Sequence, residues 1–309
     1  MYIGIDLGGT NIAIGIVNAE RKIIISDSCP TKAPRPCNEI VADMANLTNN
    51  LLKRKGISIS EIKGIGIGTP GAVDNKNGIV LRAENLGWLN VDLKGELRKY
   101  FPSTHISIEN DANAAAYGEY LENGNGKDNF IAVTLGTGVG GGIIINKQIY
   151  RGLNGAAGEL GHITLIENGI KCSCDNNGCL EAYASATALI RQTKEAIEAH
   201  PETIMAKAEK ITGKTPFDAA KAGDKVAEQV VNQYIEHLAC GLTTIINIFV
   251  PDVLVIGGGI SYQGDVLLNP IKDYLKEHIF CKDGPQTEVK IATLKNDAGI
   301  VGAALSSAV

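Results

Sequence analysis

Apolar positions in the first part of the chain come in short β-branched runs cut by glycine turns. "YIGID", "NIAIGIVN" and "RKIIIS" follow one another across "LGGT" and a polar break, which predicts strand, turn, strand, turn, strand: an antiparallel meander. The pattern returns later. "LGGTNIAIGIVN" (Leu7–Asn18) aligns without a gap with "LGTGVGGGIIIN" (Leu135–Asn146), preceded by "FIAVT" and followed by "KQIYRG". Between the copies the spacing alternates. A helix is expected over about Asn38–Lys55, then strand "IKGIGIGTP", helix "VDLKGELRKYF", strand "HISIEN" and helix "DANAAAYGEYLE". The second half is helix-rich from Ala182 to about Phe249, gives the apolar strand "DVLVIGGG", and ends in a helix, "DAGIVGAALSSAV". Strands alternating with helices imply parallel pairing covered by helices. The repeat makes the expectation two similar α/β domains facing one another, with the last helix crossing back onto the first. Chance likeness between two glycine turns is the plainer alternative.

Composition narrows the class. The 309 residues are enough for two domains and a large core, and 44% hydrophobic with 20% charged residues is globular. The formal net charge is -5 and no basic cluster stands out, so no nucleic-acid partner is expected. "MYIGIDLGGT" has no signal-peptide pattern, and glycines break every long apolar run, so no membrane span is expected and the location reads as cytoplasmic. Cys29, Cys37, Cys240 and Cys281 are scattered and expected to be reduced.

The glycine turns are candidates for phosphate binding. "DLGGTN" (Asp6–Asn11) and "LGTGVGGG" (Leu135–Gly142) let backbone N–H groups approach phosphate oxygens, with hydroxyl donors from Thr10 and Thr137. Neither fits the P-loop pattern. A third turn, "IGGGIS" (Ile256–Ser261), offers a flat backbone surface for an adenine or ribose. Asp6 ends the first strand, where a carboxylate can hold Mg²⁺ directly or through water, or merely cap the turn. Asn110 and Asp111 stand between a strand and an alanine-rich helix. Helix capping would explain either alone. At the mouth of a phosphotransferase, the same carboxylate would accept the proton of a substrate hydroxyl, and the acid–amide pair would suit two neighbouring sugar hydroxyls.

Cys172, Cys174 and Cys179, with His162 upstream, make a complete tetrahedral zinc set. Four protein ligands leave no open position, so the metal would be structural. Ordinary free thiols are the alternative, and a redox pair is disfavoured because no C-x-x-C is present.

Taken in order, "DLGGTN", "GTPG", "ENDANAAA", "LGTGVGGG", "GELGH" and "CSCDNNGCLEAY" closely resemble the ROK family of repressors, open-reading-frame proteins and kinases, across essentially the whole chain. The resemblance implies an α/β fold of two actin-like, ribonuclease H-like domains around a central cleft, as in hexokinase, actin and the Hsp70 ATPase. The expected division is 1–115 plus 297–309, and 116–296 with the zinc segment. It implies ATP phosphates on Asp6, Gly8, Gly9, Thr10 and Asn11 and on Gly136, Thr137 and Gly138, with adenosine near Gly257, Gly258 and Gly259. Asp111 corresponds to the catalytic base. Asn110, Glu159, His162 and Glu181 correspond to sugar ligands, with Gly71 lining the site and His162 shared between sugar and zinc. One departure stands out: Asp175 occupies a position where the family usually has glycine.

"RAENLGWLNVDL" and "GAVDNKNGIVL" look most like the family's bacterial glucose kinases, so the expected reaction is ATP-dependent phosphorylation of the glucose 6-hydroxyl. Kinases for N-acetylmannosamine, N-acetylglucosamine and fructose share nearly all these motifs. The family's sugar-responsive repressors carry a helix-turn-helix segment ahead of the "DLGGT" strand, which here begins at residue 1; a repressor or a catalytically silent sensor is therefore the less favoured class. Family members commonly form homodimers or homotetramers, and closure of the domains on the sugar is expected.

Overall fold

The computed structural model describes residues 1–124 and 126–308; Asn125 and Val309, which the expected domain ranges include, lie outside the described residues. The chain opens with β1 (Tyr2–Leu7), β2 (Asn11–Val17), β3 (Ile23–Pro30) and α1 (Cys37–Lys55). Next come β4 (Gly64–Thr69), β5 (Ala72–Asp74), β6 (Ile79–Ala83), β7 (Trp88–Asp92), α2 (Leu93–Arg98), β8 (His105–Asn110) and α3 (Asp111–Asn123). The second meander is β9 (Phe130–Leu135), β10 (Val139–Ile145) and β11 (Gln148–Ile149). Helices α4 (Glu181–Ala184), α5 (Ala186–Ala199), α6 (Thr215–Lys221) and α7 (Lys225–Phe249) precede β12 (Val253–Gly257), α8 (Asp265–His278), β13 (Glu288–Ile291) and α9 (Ala298–Ser306).

The two large sheets share one strand pattern. The first runs β3-β2-β1-β4-β8 and the second β11-β10-β9-β12-β13, each a meander followed by two more strands. In the first, β1 is antiparallel to β2 and parallel to β4, which is parallel to β8. In the second, β9 is parallel to β12 and β12 to β13. The mixed α/β architecture agrees with the expected class. A small third sheet, β5-β6-β7, was not foreseen.

The chain divides into two compact units. One comprises Met1–Asp128, Gly142–Gly158 and the chain from Thr293; the other Asn129–Gly141 and Glu159–Ala292. A boundary between residues 115 and 116 would cut α3, and packing keeps that helix whole with the first unit. The cause is α9, which packs against α3, β1 and β4 as a strongly apolar terminal helix should. It sits very close to them. A Cβ on Gly4 would lie 1.9 Å from the Ile300 carbonyl oxygen, and one on Gly66 1.7 Å from that of Ala303. Only glycine permits this approach. The core of the first unit is built on Ile3, Ile5, Ile14, Ile65 and Ile67 against Val41, Met44 and Leu51 of α1. In the second unit Phe130, Phe217, Leu238 and Leu254 are buried, and the buried Tyr234 hydroxyl donates to the Ala184 carbonyl at 2.7 Å.

Candidate active site

Parallel strands collect functional groups at their C-terminal edge, where the following turns begin. In the first unit Asp6 of β1 pairs in register with Gly68 of β4, and Thr69 with Asn110 of β8. The turn after β1 therefore lies on the same edge as Asn110 and Asp111. Gly8 N–H donates to the Asn11 carbonyl at 2.9 Å, closing a tight turn that carries Gly9 and the exposed Thr10 and Asn11. Buried Thr31 holds this turn from behind. Its hydroxyl donates to the Gly8 carbonyl at 2.6 Å and its N–H to the Thr10 carbonyl at 2.9 Å. With those carbonyls turned inward, the N–H groups of Gly9 and Asn11 face the opposite way, as an anion requires.

Asn110 is the N-cap of α3: its Oδ1 accepts from Asn113 N–H at 3.0 Å, and its Nδ2 donates to the Gly71 carbonyl at 3.1 Å. The capping role is thus present, together with the link to Gly71. Gly71 has φ of 91°, and a Cβ there would lie 2.0 Å from the Arg82 carbonyl oxygen, so the residue is glycine of necessity. Asp111 follows as the first helical residue, one carboxylate oxygen accepting from Ala112 N–H at 2.8 Å. Burial pushes its carboxyl above the usual carboxylate range, against the opposing backbone donors. Asp6 is raised to about 6, chiefly by burial and then by the negative Asp111. The Asp6 carboxylate is of the type that holds Mg²⁺ directly or through water.

In the second unit β9 and β12 are adjacent and parallel, so the turns after them also share an edge. Gly258 has φ of 81° and passes the Leu135 carbonyl so closely that a Cβ would lie 2.4 Å from its oxygen. Gly259 borders open space. The Gly136 carbonyl accepts from Ala186 N–H at 2.8 Å and that of Thr137 from the Thr187 hydroxyl at 2.7 Å. Here again a threonine holds the turn by its carbonyls. Gly138 lies against Glu181, whose Oε2 accepts from Val139 N–H at 2.9 Å. Its Oε1 accepts from the Ser173 hydroxyl at 2.8 Å. Glu181 thus ties the glycine turn to the cysteine segment.

That segment is a miniature hairpin, with Lys171 bridged to Asn177 and Cys172 N–H donating to the Asn176 carbonyl at 2.8 Å. His162 Nδ1 lies 3.6 Å from Cys172 Sγ, Cys174 Sγ lies 3.6 Å from Cys179 Sγ, and the four ligand atoms all fall within 4.8 Å of one another. A tetrahedral zinc with Zn–S bonds of about 2.3 Å spaces its sulfurs about 3.8 Å apart, so the set fits the ion. The sulfur spacing is far beyond a disulfide bond of about 2.05 Å. Burial pushes the Cys179 thiol up to about 12, while the Asn176 N–H holds Cys174 below its ordinary value. A bound cation would let the three thiols ionise together. On the ring's other side His162 Nε2 lies 3.8 Å from Glu159 Oε2. Asp175 has φ of 69°, the left-handed conformation in which aspartate is among the better-tolerated side chains.

Three supporting residues escaped the sequence reading: Thr31, Ser173 and Arg151. The last pairs with Glu109 through two guanidinium donors on one carboxylate oxygen, which no motif spacing announces.

A profile of the ROK family matches residues 2–307. The chain belongs to the ROK family. It is 38% identical to a glucokinase of Halalkalibacterium halodurans over 97% of this chain and 93% of that one. Its fold is similar to the crystal structure of a ROK family glucokinase from Streptomyces griseus in complex with glucose and AMPPNP, with a TM-score of 0.82 and 36% identity over 98% of this chain and 97% of the other. A xylose repressor of Caldicellulosiruptor bescii is 32% identical over 97% of this chain, which corresponds to 76% of the repressor. Membership places the chain in the actin-like ATPase superfold.

Proposed function

We propose that this ROK family member transfers the γ-phosphoryl group of ATP to the 6-hydroxyl of glucose. The observation that carries the reading is Asp111, a half-buried carboxylate with a raised pKa at the start of α3, beside Asn110 and near Asp6. The similarity to glucokinases over nearly the full length supports glucose as the acceptor.

In this reading Asn110, Glu159, His162, Glu181 and the Gly71 backbone hold sugar hydroxyls. The turns at Gly8–Asn11 and Gly136–Gly138 hold phosphate oxygens, and Gly257–Gly259 lie under the adenosine. As the sugar oxygen bonds to the γ-phosphorus, the bond to the β–γ bridging oxygen breaks, ADP leaves, and the hydroxyl proton passes to Asp111. Its raised pKa brings the base nearer to neutrality, where proton transfer from a developing phosphate ester is efficient. Asp6 would hold Mg²⁺ with the nucleotide, and the ion would neutralise charge on the transferring group. His162, Cys172, Cys174 and Cys179 would hold zinc, which would fix the His162 ring. The same reading includes a cytoplasmic homodimer or homotetramer; among the described residues no helix is long and apolar enough to cross a membrane.

The test compares wild type with Asp111→Asn, supplying Mg²⁺, ATP and glucose and reading glucose 6-phosphate. The expected result is stoichiometric product from the wild type and a kcat lowered by about 10²–10⁴-fold in a folded variant. Near-normal turnover by the variant would refute the base assignment. The similarity to xylose repressors favours one second reading, a sugar-responsive regulator, which would bind sugar without releasing ADP.

A further inference from the structure

Glu109 precedes Asn110 in the chain and is 2% exposed, although it is charged. A buried carboxylate without partners would be strongly destabilising. Here both oxygens are taken. Oε2 accepts from both Arg151 Nε at 2.9 Å and Nη2 at 2.7 Å, so two guanidinium donors converge on one charged oxygen. Oε1 accepts from the Asn110 N–H at 3.0 Å and from Asn113 Nδ2 at 3.3 Å. Asn110 is therefore held at three points: its N–H by Glu109, its Nδ2 by the Gly71 carbonyl, and its Oδ1 by Asn113 N–H. Asp111 is the next residue. Arg151 follows β11 and opens the segment that leads, eight residues later in the chain, to Glu159.

We propose that Glu109 and Arg151 are a positioning pair for proton transfer: the two guanidinium donors anchor Oε2, leave Oε1 to hold the Asn110 N–H, and so fix the junction of β8 and α3 and with it the orientation of Asn110 and Asp111. The inference rests on Asp111 being the base. Arginine suits the task better than lysine because its planar fork fixes direction as well as charge. Loss of the guanidinium leaves Oε2 without its partner and frees the carboxyl group to turn, which releases its grip on the Asn110 N–H. Misplacement of a reacting group by about 1 Å costs on the order of 10²-fold in rate.

The experiment measures glucose-dependent ADP release by wild type, Arg151→Met, Arg151→Lys, the double variant Glu109→Gln with Arg151→Met, and Asp111→Asn. Thermal unfolding and near-ultraviolet circular dichroism report the folded fraction. Arg151→Met is expected to lower kcat per folded molecule by about 10–100-fold with KM for ATP within about twofold. Arg151→Lys should recover a substantial part of the loss. The double variant should be no slower than Arg151→Met, since it removes the orphaned charge as well. Wild-type kcat in folded Arg151→Met, or a loss seen only as less folded protein, would overturn the proposal. So would a double variant clearly slower than Arg151→Met. If Asp111→Asn retains near-normal turnover, the base reading fails first; if Asp111→Asn is inactive while Arg151→Met is normal, only the positioning role fails.

Discussion

Asp6 carries a stability cost at the position proposed to hold a cation. Its pKa in the folded protein, raised to about 6 from 3.8, means the folded state holds a proton there that the unfolded chain has already lost. Stability is therefore undiminished below the unfolded value, falls as pH rises from about 4 to about 6, and stays lowered above that. The ceiling on this cost is about 3 kcal/mol, from about 1.4 kcal/mol per pKa unit. Asp6→Asn should accordingly raise the urea midpoint of the nucleotide-free protein at pH 8 and change it little at pH 4.5, while abolishing Mg²⁺–ATP turnover. An equal gain at both pH values would remove burial of the charge as the cause. Asp175 makes the converse case. Its left-handed conformation predicts that Asp175→Gly stabilises the zinc-loaded protein by about 1 kcal/mol or less. The exposed Lys171–Asp175 pair at 3.5 Å offers little to lose, and a destabilised variant would contradict this account.

Among the elements, the cysteine hairpin behaves as one unit because Ser173 and Cys172 flank the contact with Glu181. Metal analysis is expected to find one equivalent of zinc in the wild type and none in Cys179→Ser. That substitution should also raise KM for the sugar well above that for ATP; an unchanged sugar KM would separate the hairpin from the sugar site. This hairpin was legible in the chain because thiols and an imidazole are rare and their spacing is chemically restrictive. The two meanders were legible because alternation and glycine turns recur at Leu7 and Leu135. The small sheet β5-β6-β7 was not, since its strands are short and interrupted by polar turn residues such as Asn75–Gly78. Likewise "VDLKGELRKYF" looked helical throughout, yet Val91 and Asp92 finish β7, where Val91 pairs with Val80. "KQIYRG" yields only the two-residue β11. Contacts such as Glu109–Arg151, 42 residues apart, leave no local trace in a sequence, so the residues supporting the site emerge only from the fold.

At the scale of the whole molecule, fold and family leave the acceptor open, because one architecture serves glucokinases and xylose repressors alike. What distinguishes the proposed activity is a set of side chains: the Asp111 carboxylate, the Asp6 carboxylate beside it, and turns whose carbonyls are held inward by Thr31 and Thr187. In the proposed reading these would serve phosphoryl transfer to any hexose hydroxyl, and the acceptor would be selected where the sugar's second carbon lies. The decisive measurement is therefore kcat/KM from ADP release by the zinc-loaded protein with Mg²⁺–ATP and, separately, glucose, mannose, fructose, N-acetylmannosamine and N-acetylglucosamine. A value for glucose at least about tenfold above every other sugar, equivalent to about 1.4 kcal/mol of transition-state discrimination, is the predicted result. Preference for an N-acetylated sugar, or no sugar-dependent ADP release at all, would contradict it.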